Sequence, residues 1–153
     1  EPYRRQRQMC IRDRLKLHGS LTWERDNRGI RRKEKNEVVK PIMIFPSADK
    51  YMQSYQEPYF ELFTKFQELI KRPNSLLITV GFSFADNHIS QMIYQAILHN
   101  KSLAMLVTDY SLEQTNDNWT RMQKLMEQNY RVAFLKETMN GNLSFYLGEY
   151  YDD

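Results

Sequence analysis

The chain has 153 residues, of which 41% are hydrophobic and 13% aromatic, which suits one globular domain. No apolar run approaches the roughly 18 residues of a membrane span, and no signal-peptide pattern opens the sequence, so we expect a cytoplasmic protein without membrane contact. The net charge of +3 does not indicate a nucleic-acid partner, because residues 1–14 carry five Arg against Glu1 and Asp13 while the remaining charges balance.

Residues 7–14 have an unusual sequence, Arg-Gln-Met-Cys-Ile-Arg-Asp-Arg. It resembles the translation of a sequencing adaptor of the kind that contaminates metagenomic gene sequences. We therefore expect residues 1–14 to be non-native and residues 15–153 to continue a natural sequence that was cut before Leu15. A native Arg-rich tail is the alternative. The only cysteine, Cys10, lies in this segment, so residues 15–153 cannot form a disulfide or a cysteine-ligated zinc site.

The first predicted elements are short and extended. Leu15 and Leu17 alternate with polar neighbours, which predicts that Arg14–His18 is the end of a strand. A turn cluster at residues 26–28 predicts a polar β-hairpin between Leu21–Arg25 and Gly29–Lys33. The apolar run Ile42–Phe45, closed by a proline, predicts a strand or an extended lid segment.

After residue 58 the predicted elements alternate between helix and strand. Apolar residues at helical spacing predict helices over Pro58–Arg72, Asn87–His99 and Asp117–Asn129. A continuous apolar run predicts a fully buried strand over Leu76–Val80, and a second predicts a buried strand over Leu103–Val107. Val132–Leu135 is predicted as a third strand, and Asn140-Gly141 predicts a turn into Leu143–Leu147. Asp86 is the expected N-cap of the second helix.

This alternation predicts the fold class. Strands that alternate with helices form a parallel sheet with right-handed crossovers. We therefore expect an α/β fold, with a Rossmann-like parallel sheet that has helices on both faces, as a partial domain with a small β-hairpin insertion.

Three predicted strands end in small or reactive residues: His18-Gly19-Ser20, Gly81-Phe82-Ser83 and Thr108-Asp109. In open parallel sheets, ligands bind beyond the carboxyl ends of the strands. The three segments would face the same edge if their strands share one sheet. This edge is therefore the predicted ligand site.

Each of these residues also has a purely structural interpretation. Gly81 permits either close approach of a ligand or an ordinary tight turn, and Ser83 offers a hydroxyl to a ribose or a phosphate at the start of the next helix. Asp109 is placed to accept a hydrogen bond from a ribose hydroxyl, or it starts a turn. A lone histidine such as His18 is more often a structural hydrogen-bonding residue than a catalyst. Three scattered histidines without cysteine partners do not predict a metal site.

Read together, Lys16-Leu17-His18-Gly19-Ser20 and the run from Leu77 to Asp86 resemble the sirtuin-like family of NAD-consuming domains. The closest likeness is to the zinc-free branch found in bacterial antiphage-defence proteins, and it extends from Lys16 to Asp109. The resemblance implies that His18 is the catalytic base and that the Gly-x-Ser turn holds part of the NAD. The residues expected to bind NAD are Gly19, Ser20, Gly81, Phe82, Ser83, Thr108 and Asp109.

The resemblance also implies an activity. The parent protein would split NAD into nicotinamide and ADP-ribose in an antiphage-defence system, with a second copy or a fused sensor domain as partner. The family's Asn-x-Asp segment would precede His18 and is absent, so we expect this chain alone to be inactive. Three alternatives stay open: an NAD-dependent protein deacylase, a non-catalytic NAD or ADP-ribose sensor, and an unrelated α/β domain whose motifs match by chance.

Overall fold

The structure is a computed structural model, and it describes residues 14–44 and 58–138. The chain divides into two compact units, residues 1–66 and residues 67–153. The predicted turn at Asn140-Gly141, the strand after it and the Arg-rich segment before Arg14 lie outside the described residues, as does Phe45.

The first unit contains two pairs of antiparallel strands. Strand β1 (Gly19–Ser20) pairs with β4 (Ile42–Met43), and β2 (Trp23–Asp26) pairs with β3 (Gly29–Arg32). The predicted hairpin is therefore confirmed, with shorter strands than expected. Its connection is the two-residue turn at 27–28, in which an Asp26 carboxylate oxygen accepts a hydrogen bond from the Arg28 amide at 2.7 Å.

The strand predicted over Arg14–His18 is wrong. Leu17 and His18 form a turn that the Gly19 amide closes by donating to the Lys16 carbonyl at 2.9 Å. Gly19 has a φ of +80°, a conformation that glycine adopts without steric cost. Leu15 therefore precedes the turn and Leu17 lies in it, and the strand begins only at Gly19.

The side chain of Glu24 joins the hairpin to the segment that leads into β4. One carboxylate oxygen accepts hydrogen bonds from the amides of Val39 at 3.1 Å and Lys40 at 2.8 Å, and the other accepts from the Lys33 ammonium. The Lys33 hydrogen bond, followed by that of Lys40, lowers the pKa of Glu24. The same hydrogen bond raises the pKa of Lys33.

Helix α1 (Tyr59–Lys71) confirms the first predicted helix. Its first hydrogen bond runs from the Leu62 amide to the Pro58 carbonyl. Proline has no backbone N–H, and this causes no loss here, because an N–H at the start of a helix has no acceptor within the helix. Tyr59, Phe63 and Ile70 are buried on the predicted apolar face. Burial also raises the pKa of the Tyr59 hydroxyl.

The second unit is built on a three-stranded parallel sheet. Its strands β5 (Leu76–Val80), β6 (Ala104–Asp109) and β7 (Val132–Lys136) lie side by side in that order. Helices α2 (Asn87–His99) and α3 (Asp117–Glu127) connect them, and they contact each other. The predicted α/β class with a Rossmann-like parallel sheet flanked by helices is confirmed.

Helix α3 ends two residues before the predicted boundary. Asn129 has a φ of +63°, its amide donates to Met126, and the Tyr130 amide donates to Leu125, which is the Schellman arrangement. The left-handed residue stops the helix at Glu127. Met126, in the last turn of the helix, is 40% exposed.

The core of this unit lies between the sheet and its helices. Met105, Val107, Trp119, Met122 and Leu125 are all at most 2% exposed. The prediction that β5 is fully buried is wrong, because Leu76 is 58% and Val80 is 38% exposed. Within the part of the chain that the structure describes, β5 is an edge strand that pairs only with β6.

Candidate functional site

The structure brings two of the three predicted ligand segments together at the carboxyl edge of the parallel sheet. Gly81 follows β5, and Thr108-Asp109 ends β6. The Gly81 amide donates to the Thr108 carbonyl at 2.9 Å, so the two segments are in direct contact. Ligands of open parallel sheets bind at this edge.

Gly81 leaves one side of this edge open. Its φ is +63°, and a Cβ atom added to it would meet no atom of the described residues within 4 Å. The glycine is therefore needed for the turn conformation and not for packing against the protein. Open space beside an exposed backbone suits close approach of a ligand.

Thr108 and Asp109 are buried at the end of β6. Thr108 is fully buried, and its hydroxyl has no hydrogen-bond partner among the described residues. A buried hydroxyl without a partner has a free-energy cost, and a ligand atom can relieve it here only if the side chains that cover Thr108 move. Asp109 is 4% exposed, and one carboxylate oxygen accepts from the Ser111 amide at 3.3 Å, as the turn-starting interpretation expects. Its ligand role stays a prediction.

The loop after Gly81 has a second left-handed residue. Phe84 has a φ of +60°, which is rare for a bulky side chain. Its ring is fully buried, 4.8 Å from the ring of Phe82 and 5.8 Å from that of Trp119 between centroids. Phe82, predicted to contact NAD, thus packs partly on the protein's own aromatic cluster.

Two asparagines that the sequence analysis did not identify hold this loop. Asn116 Nδ2 donates to the carbonyl of Ser83 at 2.7 Å, and Asn118 Nδ2 donates to the carbonyl of Phe84 at 3.1 Å. The only signal in the sequence is that Asn116 is an N-cap residue type before a predicted helix. A contact across more than thirty residues leaves no local pattern.

The start of α2 is already capped. An oxygen of the Asp86 carboxylate accepts from the amides of His88 at 3.0 Å and Ile89 at 3.1 Å, so the predicted N-cap is confirmed. The carboxylate opposes the attraction of this helix N-terminus for a phosphate.

The third predicted segment has a different setting. His18, Gly19 and Ser20 belong to the first unit, where β1 pairs antiparallel with β4 and not with the parallel sheet. Within the described residues, the condition that the three segments end strands of one sheet is therefore not met. The alternating leucines before His18 predicted one strand, but they gave no sign that Gly19 and Ser20 pair antiparallel with Ile42 and Met43.

The local contacts of this segment are well defined. The ring of His18 is half-buried and meets the ring of Phe63 edge-on, with centroids 6.2 Å apart. The Ser20 hydroxyl is buried, accepts from Lys16 Nζ at 2.8 Å and lies 3.0 Å from the Thr22 hydroxyl. These hydrogen bonds fix the backbone beside His18, and the NAD-binding role predicted for Ser20 stays a prediction.

Residues 14–44 and 58–138 contain no group of three or more His, Cys, Asp and Glu side chains placed to hold a metal ion. In the same residues, no helix has the length and apolar character needed to cross a membrane.

The model of the SIR2-like domain family matches residues 12–135. This match covers most of the chain, which therefore belongs to the SIR2-like domain family. The sirtuin-like resemblance is confirmed at that level. A search of curated proteins found no match. SIR2-like domains use NAD, and the family includes NAD-dependent enzymes, so membership indicates an NAD-related function.

Proposed function

We propose that the parent protein hydrolyses NAD at the bond between nicotinamide and ribose. Membership of the SIR2-like family is the observation that carries the proposal. It is supported by the carboxyl edge of the parallel sheet, where the open Gly81 turn adjoins the unpartnered Thr108 hydroxyl and the Asp109 carboxylate.

The proposed reaction consumes one water molecule. The bond between the ribose carbon and the nicotinamide nitrogen breaks, its electron pair stays on the nitrogen, and nicotinamide leaves as a neutral molecule. A water oxygen forms the new bond to the ribose carbon and gives ADP-ribose. We assign His18 as the base that accepts the water proton, since imidazole is the side chain best suited to proton transfer near neutral pH.

At the edge of the sheet, we assign Gly81, Phe82, Ser83, Thr108 and Asp109 to the ADP-ribose part of NAD. The open side of Gly81 admits the ligand backbone, while the Thr108 hydroxyl and the Asp109 carboxylate are suited to ribose hydroxyls. Gly19 and Ser20 are assigned to the nicotinamide end, beside His18.

Cysteine content favours the hydrolase over the deacylase. Protein-deacylating sirtuins carry a four-cysteine zinc module soon after the His-Gly motif, whereas this chain has one cysteine, at position 10, before that motif. The hairpin of β2 and β3 occupies the stretch that follows His18. We place the activity in bacterial antiphage defence, in the cytoplasm, with a second copy or a sensor domain as partner.

The test follows nicotinamide release from NAD. The 153-residue chain and the product of the gene with its full upstream sequence are assayed side by side, with and without lysate from phage-infected cells. We expect His18→Ala to lower release by about 10²–10⁴-fold, the usual contribution of a general base. His99→Ala is the matched control, because His99 is exposed and its ring nitrogen bonds only locally, to the Gln95 carbonyl.

The outcomes separate the candidate functions. Release that His18→Ala abolishes and His99→Ala preserves supports the hydrolase. Turnover of an acyl-lysine peptide without hydrolysis of NAD alone identifies a deacylase. Tight binding of NAD or ADP-ribose with no release under any condition identifies a sensor, and equal release from both variants shows that His18 is not the base.

A further inference from the structure

The loop that connects β5 to α2 is held in its conformation from outside. Its carbonyl groups at Ser83 and Phe84 both accept side-chain amide hydrogen bonds from the start of α3, from Asn116 and Asn118. The Phe84 carbonyl also accepts from the Ser90 hydroxyl at 2.9 Å. The loop therefore has three side-chain hydrogen bonds to two adjacent carbonyls.

Such bonds are needed because the loop is strained. Phe84 is a bulky residue in the left-handed region, a conformation that persists only where the surroundings enforce it. Its buried ring, which packs on Trp119, supplies one constraint. The Ser90 hydroxyl and the two asparagine amides supply further constraints, and strain maintained in this way is typical of ligand-binding segments.

Asn116 performs two tasks with one side chain. Its Oδ1 accepts from the Trp119 amide at 3.0 Å and caps α3, while its Nδ2 donates to the Ser83 carbonyl. Asn118 Nδ2 is likewise shared between the Phe84 carbonyl and Asn87 Oδ1, the latter at 2.7 Å. The start of α3 is thereby tied to the loop and to the first residue of α2.

We propose that Asn116 and Asn118 are positioning residues, whose amides hold the loop after β5 in the conformation that receives the ADP-ribose part of NAD. This inference rests on the proposed function of the sheet edge. Neither asparagine needs to touch the ligand. They act through the backbone of Ser83 and Phe84, next to the open side of Gly81.

The test separates the capping task from the positioning task. In Asn116→Ser the hydroxyl still caps α3, since Ser is as good an N-cap as Asn, but it cannot reach Ser83 at the same time. Asn118→Ser removes the hydrogen bond from Asn118 Nδ2 to the Phe84 carbonyl. Asn100→Ala is the matched control. Asn100 lies at the far end of α2, and its Nδ2 makes two comparable hydrogen bonds, to the carbonyls of Ile70 and Arg72 at the end of α1.

Two properties are measured on the 153-residue chain: the Kd for ADP-ribose by calorimetry, and amide hydrogen exchange of residues 81–86. We expect each Ser variant to weaken ADP-ribose binding about fivefold, as loss of one net hydrogen bond of ~1 kcal/mol predicts, and to speed exchange in the loop. Asn100→Ala should lower thermal stability without either effect.

The outcomes distinguish this inference from the proposed function. If the unaltered chain binds no ADP-ribose, the NAD site at this edge is wrong and the inference is overturned with it. If the unaltered chain binds and Asn116→Ser and Asn118→Ser bind equally well, the proposed function stands and the positioning role is overturned. If Asn100→Ala weakens binding as much as the Ser variants, the asparagines contribute only general stability, and the inference is also overturned.

Discussion

At the scale of single residues, two glycines with similar backbones face different surroundings. Gly19 has a φ of +80° and Gly81 a φ of +63°. A Cβ on Gly19 would collide with the Ile42 carbonyl oxygen and lie 2.9 Å from the Cα of Met43. A Cβ on Gly81 would meet nothing within 4 Å. The first glycine is therefore required by packing between β1 and β4, and the second only by its dihedral angle.

This difference predicts unequal costs of substitution. Gly81→Ala should lower the free energy of unfolding by roughly 1–2 kcal/mol, the cost of a left-handed alanine. Gly19→Ala adds a collision with backbone, which costs a further ~1–3 kcal/mol, and should separate β1 from β4. Urea unfolding of the two variants checks the ranking. A Gly19→Ala chain as stable as Gly81→Ala would contradict the close pairing of β1 and β4.

At the same scale, the sequence identified residue types better than residue contacts. Asp86 was identified as a cap because a cap is a local pattern that depends on the next three residues. The contact between His18 and Phe63, and the asparagines that hold Ser83 and Phe84, join residues more than thirty positions apart. No periodicity or local motif encodes such pairs.

At the scale of elements, the hairpin is joined to β4 by one carboxylate. Glu24 has a lowered pKa in the folded chain. Its contribution to stability is therefore fully present at a pH above its pKa in the unfolded chain, and it is lost as the pH falls through its pKa in the folded chain. Lys33 has a raised pKa, so its contribution is present below its unfolded value and is lost as the pH rises through the folded value. The pair therefore stabilises the unit between these two limits.

We expect Glu24→Gln to lower the melting temperature of the chain at neutral pH by a small amount, because the pair lies near the surface. The difference from the unaltered chain should hold from about pH 5 to about pH 9 and shrink in acid, where Glu24 itself becomes protonated. Calorimetry over that pH series measures it. Glu34→Gln, at an exposed position in the same segment, is the control. A difference that grows in acid would contradict the assigned contacts.

At the scale of the whole molecule, the two units each contain one tryptophan, Trp23 in the first and Trp119 in the second. Trp119 is fully buried, so its fluorescence reports unfolding of the unit that holds the proposed ADP-ribose edge. In a Trp23→Phe variant this signal is isolated. With the Trp23→Phe variant, ligand binding can be measured as an increase in the free energy of unfolding of the second unit.

We expect ADP-ribose at 100 times its Kd to raise the free energy of unfolding reported by Trp119 by about 2.7 kcal/mol. Inorganic pyrophosphate at the same ionic strength is the control, because it carries the charge without the ribose hydroxyls that Thr108 and Asp109 are proposed to bind. Equal stabilisation by both compounds would show that the edge binds anions in general, and no stabilisation by ADP-ribose would place the nucleotide elsewhere.

Local apolar spacing and capping residues were enough to predict the α/β class, the three helices and the three parallel strands. The two motifs at His18 and Gly81 were enough to predict the family. The folded structure was needed to show that Gly19–Ser20 pairs with Ile42–Met43, that β5 is exposed at both ends, and that Asn116 and Asn118 hold the loop beside Gly81. Strand partners and long-range hydrogen bonds depend on which surfaces meet after the chain has folded, and that information is not contained in any short stretch of sequence.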